Sequence, residues 1–256
     1  MRAPRLVLGG VPVDRVTAAA ALDRIEALVA ARAGGAVFTP NVDHVVLAAR
    51  NGDFAAAYQR AELSLADGMP VVWASRLLGA PVPEKVSGSD FLLPLAERAA
   101  QRGWRLYLLG GAQGVADQAG RRLQALVPAL TLAGTDAPLL SAAPGDPASA
   151  AALTRLRAAR PDLVLVALGA PKQEVWIDRH RDELRPAVAV GVGAALDFLA
   201  GRARRAPRLV SRVGLEWLWR LAREPRRLWR RYLVQDPAFA AILWRELRAR
   251  RRPTDS

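Results

Sequence analysis

The sequence predicts an α/β chain: a Rossmann-like, mostly parallel sheet with helices on both faces, followed by a basic helical C-terminal appendage. Three observations carry this reading. Short β-rich runs alternate with helical ones from Leu6 to about Phe198. Runs such as Leu163–Leu168 are apolar throughout, as strands covered on both faces must be. Positive charge is concentrated at the end: residues 202–252 hold 16 Arg against 4 acidic groups, in a chain whose total is +13. Residues 1–201, with 21 basic and 19 acidic groups, are close to neutral. The expected division is therefore an α/β catalytic domain over 1–201 and an Arg/Trp-rich appendage over 202–256.

The elements follow in order. Leu6–Leu8 is a first strand, and Asp14 is placed to cap a helix to about Ala31 with Val16, Ala20, Ile25 and Leu28 as its apolar groups. Ala36–Thr39 is a strand that ends in TPN. Two short helices, Val42–Arg50 and Phe54–Arg60, flank Asn51–Gly52. Leu63–Leu65 is a strand ending in ADG, Met69–Leu78 is helical, and Gly79–Gly88 is a loop broken by proline. Ser89 or Asp90 caps a helix to about Arg102. Arg105–Leu109 is a strand that ends in Gly110–Gly111, followed by a helix over Val115–Leu126. Leu130–Ala133 is a strand, and the Pro, Gly, Asp and Ser content of Thr135–Pro147 marks a loop. Leu153–Ala159 is helical, Leu163–Leu168 is a buried strand, and GAPKQE opens a helix near Val175. Ala187–Val192 is a strand ending in GVGAALDF.

Composition excludes several chemistries. With no Cys there is no disulfide and no Cys-bound zinc. His44 and His180 are the only histidines, which argues against a multi-His metal site. No window offers roughly 18 uncharged apolar residues, so no bilayer-spanning helix is expected. The start lacks the apolar core of a signal peptide, and the chain is expected in the cytoplasm. Only Lys85 and Lys172 are lysine, so the preference for Arg carries little meaning by itself.

In a parallel sheet, ligands bind beyond the carboxyl ends of the strands. The polar groups gather there. Asp67 in ADG either closes an Asx turn or acts as a general base. Thr39 and Asn41 follow another strand; Asn41 either caps the next helix or faces a ligand. His44 reads as a helix residue among polar neighbours. Gly110, Gly111 and Gln113 form either a tight βα turn or a phosphate cradle, but the string is neither G-x-G-x-x-G nor a P-loop. Lys172 and Gln173, beside Pro171, begin a helix at which a diphosphate or plain solvent would sit. Asp197, in the apolar stretch GVGAALDFLAG, needs a salt-bridge partner or a ligand. No D-x-D occurs, so a leaving diphosphate would have to be met by Arg, Lys and backbone N–H groups rather than a bridged metal.

The appendage interleaves Arg with Trp217, Trp219, Trp229 and Trp244. Such a surface suits a polyanion together with apolar material, a nucleic acid or an anionic membrane. Arg208 and Arg212, with Leu209, Val213, Trp217 and Leu221, fit an amphipathic interfacial helix. Packing of Trp217, Leu218 and Leu221 on the body is the competing reading.

Seven strings in order resemble the WecG/TagA/CpsF family of bacterial glycosyltransferases, glycosyltransferase family 26. They are TPNVDH, ADGMPVVWASRLLG, EKVSGSD, LYLLGGAQG, PDLVLVALGAPKQEVWI, VGVGAALDFLAG and RAPRLVSRVGLEWLWRLAREPRRLWRRYL, and the resemblance runs from about Leu6 to Tyr232. The resemblance implies an inverting, metal-independent transfer from a UDP-sugar, typically of the N-acetylmannosamine type, to N-acetylglucosamine on undecaprenyl diphosphate. It implies Asp67 as the base and Thr39 and Asn41 in its pocket. It places Gln173 and Asp197 at the nucleotide sugar, and Arg220, Arg227 and Arg230 as arginines that close over the site. Their spacing would align them on one continuous helix, although Pro225 points equally to a bend. Lys85 stands where the family pattern has Arg, which keeps the charge but loses the bidentate fork. The implied partners are a UDP-sugar, the polyprenyl-diphosphate acceptor and the anionic inner face of the plasma membrane, with no cofactor and no nucleic acid. The oligomeric state stays open, a homo-oligomer included. A nucleic-acid-binding arm and another nucleotide-dependent enzyme are the rival readings. The tail beyond Tyr232 has no match and reads equally as a solvated end.

Overall fold

The fold is a computed structural model that describes residues 4–141, 143–203, 206–207, 210 and 214–251. Its centre is a six-stranded sheet in the order β4-β3-β8-β7-β5-β6, and every pairing in it is parallel. The strands are β3 (Gly35–Phe38), β4 (Leu63–Ser64), β5 (Arg105–Gly110), β6 (Thr131–Asp136), β7 (Leu163–Ala167) and β8 (Val188–Gly191). Successive side chains in a strand point to opposite faces, and the core divides accordingly. Leu106, Leu108, Leu163 and Leu165 pack with α1 (Ala18–Ala30), α5 (Gly88–Arg102), α6 (Val115–Leu126) and α10 (Ala195–Leu199). Tyr107, Leu109, Val164 and Val166 face the other layer, built from α2 (Val42–Ala48), α3 (Gly52–Arg60), α4 (Met69–Leu77), α7 (Pro147–Ala159), α8 (Lys172–Arg179) and α9 (Arg181–Leu184). The expected α/β class with helices on both faces is what the chain adopts.

Four local expectations need correction. Leu6–Leu8 does not join the main sheet. It lies in β1 (Arg5–Leu8), which pairs antiparallel with β2 (Val11–Asp14) in a separate hairpin. Asp14 is therefore no helix cap. It ends β2 fully buried, and its carboxylate accepts hydrogen bonds from Arg5 Nε (3.1 Å), Arg24 Nη1 (3.0 Å) and Ser64 N (2.8 Å). Thr17 caps α1 instead, accepting from Ala20 N at 3.2 Å. The cap of α5 is Ser87, two or three residues earlier than expected, whose Oγ accepts from Asp90 N and donates to Asp90 Oδ2. The region after Leu130 is more regular than its composition suggests: β6 continues to Asp136, and α7 starts at Pro147 under an Asp146 cap.

The appendage is helical: α11 (Glu216–Arg223), α12 (Pro225–Trp229), a π-helical segment (Arg230–Gln235) and α13 (Ala238–Arg251). Of the two arrangements open for Arg220, Arg227 and Arg230, the bend is the one adopted. Glu224 leaves the helical region at φ −130°, ψ 56°, immediately before Pro225. Nor is the end simply solvated. Ile242 is buried in the core, Phe239, Leu243 and Leu247 pack beside it, and Gly9 N donates to Glu246 Oε1 at 3.3 Å. Arg208, Leu209, Arg212 and Val213, expected on an interfacial helix, lie outside the described residues.

Asp14 joins the hairpin to α1 and β4, so its loss should be costly. Asp14→Ala removes the buried acceptor shared by Arg5, Arg24 and Ser64 N and should destabilise the chain by about 3–5 kcal/mol. Urea unfolding followed by circular dichroism checks this; a loss below ~1 kcal/mol would show the ion pairs to be dispensable.

Candidate active site

The carboxyl ends of β4, β3, β8 and β7 lie side by side, and short backbone bonds tie their loops together. Asp67 N donates to Pro40 O at 2.9 Å, Val86 N to Ala66 O at 2.8 Å and Val192 N to Val166 O at 2.9 Å. Gly68, at φ +103°, turns the chain from Asp67 into α4. Above these loops lie two cavities. The larger, about 720 Å³, has a mainly polar lining that includes Thr39, Ser89, Gln173, Asp197 and Arg223. The smaller, about 340 Å³, is lined by Met69, Pro70, Trp217, Pro237 and Phe239 together with Lys85 and Glu216. They meet at Asn41, Asp43, Asp67, Arg220, Arg231 and Tyr232, which line both.

Asp67 is one of two carboxylates at this junction; the other, Asp43, faces Arg231. Burial pushes the Asp67 pKa up to about 7, against the pull of the Arg220 charge. A carboxylate tuned to that range holds a proton weakly enough to give it up and strongly enough to take one. Arg220 reaches the junction from α11; its Nη2 donates to Glu216 Oε1 at 3.0 Å and its guanidinium lies 5.1 Å from the centre of the Phe198 ring. Lys85 Nζ lies 3.2 Å from Asp90 Oδ2 and 3.9 Å from Glu216 Oε2. Thr39 Oγ1 donates to Gly191 O at 3.4 Å. Asn41 does cap α2, accepting from His44 N at 3.3 Å, and it also lines both cavities.

Gln173 is buried at the base of the larger cavity. Its Oε1 accepts from Gly193 N at 3.1 Å and its Nε2 donates to Glu174 Oε1 at 2.6 Å. A Cβ on Gly191 would lie 3.0 Å from that Nε2, so glycine gives the amide its room. Behind Gln173, Glu174 is wholly buried and its Oε2 has no hydrogen-bond partner. Burial raises its pKa to about 7. His44 Nδ1 shares a 2.6 Å hydrogen bond with Tyr58 Oη and lies 3.9 Å from Glu174 Oε1. Burial lowers the His44 pKa to about 3, which keeps the imidazole neutral. Among the described residues, no group of three His, Cys, Asp or Glu side chains is arranged to hold a metal ion.

The sequence model of the Glycosyl transferase WecG/TagA/CpsF family matches residues 6–253. The chain belongs to this family. The match runs past Tyr232 and takes in α13, in keeping with the way that helix is docked. Three relatives carry the name N-acetylglucosaminyldiphosphoundecaprenol N-acetyl-beta-D-mannosaminyltransferase. The Bacillus spizizenii protein is 33% identical over 213 residues, 83% of this chain and 80% of its own. The Bacillus subtilis (strain 168) protein is 28% identical over 219 residues, again 83% and 80%. The Staphylococcus aureus (strain MW2) protein is 27% identical over 223 residues, 86% and 85%.

Within this glycosyltransferase, the residues singled out from sequence divide into two sets. Thr39, Asn41, Asp67, Lys85, Gln173, Asp197 and Arg220 line the paired cavities. Gly110, Gly111, Gln113, Lys172 and Arg230 do not. A Cβ on Gly110 would stand 2.6 Å from Ala167 O, so the glycine serves close strand packing at the β5 turn. Gly111 N donates to Ala167 O in the same turn, and Gln113 is exposed. Lys172 lines a separate hollow with Asn51 and Arg179. Arg230 is exposed, its guanidinium 5.6 Å from the centre of the Trp229 ring. The Arg227 side chain lies outside the described residues. Arg231 and Tyr232 join the site without having been singled out, and so does Asp43, which TPNVDH offered but to which no role was given. A chemical signal existed for Asp43, which sits inside TPNVDH, but nothing in Arg230–Arg231 says which arginine turns inward.

Glu174 yields a stability test. Its folded pKa of about 7 lies above the ordinary 4.5. The protonated side chain is therefore favoured by folding, and that contribution is full below pH 4.5 and lost as pH rises through 7. Glu174→Gln should match the parent in stability near pH 4 and exceed it at pH 8 by on the order of 3 kcal/mol. Denaturant unfolding at the two pH values measures the difference; an equal gap at both would show that Glu174 does not titrate in this window.

Proposed function

We propose that the chain is an inverting glycosyltransferase that moves an N-acetylmannosamine-type sugar from a UDP-sugar to N-acetylglucosamine held on undecaprenyl diphosphate, in cell-surface polysaccharide or teichoic acid synthesis. The relatives' names supply the transferred group and the acceptor. The observation that carries the reading is the meeting of a polar and a largely apolar cavity at the desolvated carboxylate of Asp67, the second carboxylate there, Asp43, being paired with Arg231. Two substrates approaching from opposite sides would bring their reacting atoms together at Asp67.

In this reading the polar cavity holds the nucleotide sugar, with Thr39, Gln173 and Asp197 along it. The smaller cavity takes the acceptor sugar, and its Met69, Trp217 and Phe239 suit the start of an isoprenoid chain. Asp67 removes the proton from the acceptor hydroxyl as that oxygen bonds to the anomeric carbon. The bond from that carbon to the diphosphate oxygen breaks, and UDP leaves with the electron pair. Arg220, with Lys85 nearby, offsets the growing charge. No metal enters these steps.

The acceptor's lipid requires access to a membrane. Among the described residues no helix is long and apolar enough to cross one. The appendage exposes Trp217, Leu218, Trp229, Leu233 and Val234 beside the exposed Arg223, Arg226 and Arg230. Apolar groups at that density suit an interfacial foot on the inner face of the membrane, each nearby arginine adding about 1 kcal/mol on an anionic surface. A nucleic acid would use the arginines and leave those apolar groups in water. Flotation with anionic vesicles, and no shift of duplex DNA, is the outcome expected of a membrane foot.

The primary test is product mass from a panel of UDP-sugars offered with a lipid diphosphate carrying N-acetylglucosamine. Transfer from UDP-N-acetylmannosamine is expected, and no product with any donor would overturn the reading. Asp67→Asn should lower turnover by about 10²–10⁴-fold while donor binding, read by calorimetry, persists. Because the base must be ionised, kcat/KM of the parent should rise with pH to a plateau above about 7 and fall tenfold per pH unit below it. A profile flat from pH 5 to 9 would remove Asp67 from that role.

A further inference from the structure

Arg231 stands at the junction of the two cavities and has no place in the reaction described above. It comes from the π-helical segment, whose wider turn is seen in the Asp236 N to Arg231 O hydrogen bond of 2.8 Å, five residues along. That turn carries Arg231 and Tyr232 into the junction. It leaves Arg230, Leu233 and Val234 exposed on the outside.

Two groups on the body hold the guanidinium. Arg231 Nε lies 3.3 Å from Asp43 Oδ2, and Nη2 donates to Asn41 Oδ1 at 3.4 Å. The Nε–H makes no aligned hydrogen bond, so the contact with Asp43 is an ion pair held by charge. Asn41 Oδ1 already accepts from His44 N. With that oxygen occupied from two sides, the free Nδ2 of the amide is left for the cavities that Asn41 lines. Asp236, at the end of the π-helical segment, has a buried Oδ1 without a partner, and burial raises its pKa to about 6. Asp43 is also raised by burial, against Arg231. The cation thus sits among carboxyl groups rather than free to meet a phosphate.

We propose that Arg231 is a positioning residue: clamped between Asp43 and Asn41, it docks the π-helical segment on the body and fixes the Asn41 amide toward the reacting sugars. A merely structural contact would be interchangeable with others in the appendage. This one joins the segment to the loop after β3, one residue from the Pro40 carbonyl that holds Asp67 N.

The test combines Arg231→Gln, Asp43→Asn and the double variant. Amide hydrogen exchange over 230–236 in the free protein reads the docking, and steady-state kinetics reads its consequence. Each single change should speed exchange in that segment by about tenfold. Each should also lower kcat by about 10–100-fold with little change in donor KM. The double variant should be no worse than the stronger single, because both remove the same contact. Losses that multiply, unchanged exchange, or faster exchange with parental kcat would each overturn the proposal. Arg231→Lys covers the case in which Arg231→Gln does not fold. It keeps the charge but reaches one partner, so it should lose activity, and full activity would disprove the two-point clamp. The kinetic arm rests on the transfer reading, whereas the exchange arm does not. A parent inactive with every donor therefore defeats that reading alone and leaves the docking to be decided by exchange.

Discussion

The site depends above all on the parallel pairing of β3 with β4 on one side and β8 on the other. Parallel strands end at the same edge of the sheet, so three chain segments far apart in sequence deliver their loops to one line. Thr39 and Asn41 arrive from β3, Asp67 from just beyond β4, and the Gly193 turn from β8. The bonds from Asp67 N to Pro40 O and from Thr39 Oγ1 to Gly191 O then lock the loops in register. A slip of one residue in β3 would turn Val37 and Phe38 to the wrong faces of the sheet and separate Asp67 from Asn41 at the same time.

Desolvation gives that line its chemistry. The same burial that makes the core places Asp67, Glu174 and His44 where the charged form of each is disfavoured. Asp67 escapes full neutralisation because Arg220 and Lys85 offset part of the penalty. The appendage is therefore part of the electrostatics of the body. Without α11, Asp67 would lose its principal positive neighbour and gain water. Glu174 has no such cation among the forces that shift it, and its carboxyl is held by the Gln173 amide and its own backbone N–H.

The framework was largely legible in the sequence, because parallel strands buried on both faces must be apolar throughout and the helices between them must show a periodic face. Errors came where a tertiary contact outweighed a local signal. Asp14 has the chemistry of a cap, yet the hairpin fold of Val11–Val13 draws it into the core to meet Arg5 and Arg24. Ser87 takes the cap expected of Ser89 or Asp90 because α5 begins at Gly88, where a Cβ would stand 3.2 Å from Val192 O. Lys172 and Gln173 are neighbours in sequence, but adjacent residues on a helix point about 100° apart, so one enters the cleft and the other a separate hollow.

The sequence by itself determined the alternation of elements, the strand-end polar residues and the family, since these rest on periodicity and on ordered strings. Tertiary structure alone decided which arginines of the appendage face inward. Arg220 and Arg231 line the cleft while Arg230 rests against Trp229, because the break at Glu224 and the π turn after Trp229 rotate the chain in ways no helical wheel anticipates. It also decided the fate of the C-terminal helix, whose arginines suggest solvent but whose Ile242, Leu243 and Leu247 bury against the hairpin and α2. Burial of one apolar stripe outweighs the charge on the opposite face, because the exposed Arg245 and Arg248 keep their water while the stripe loses its own.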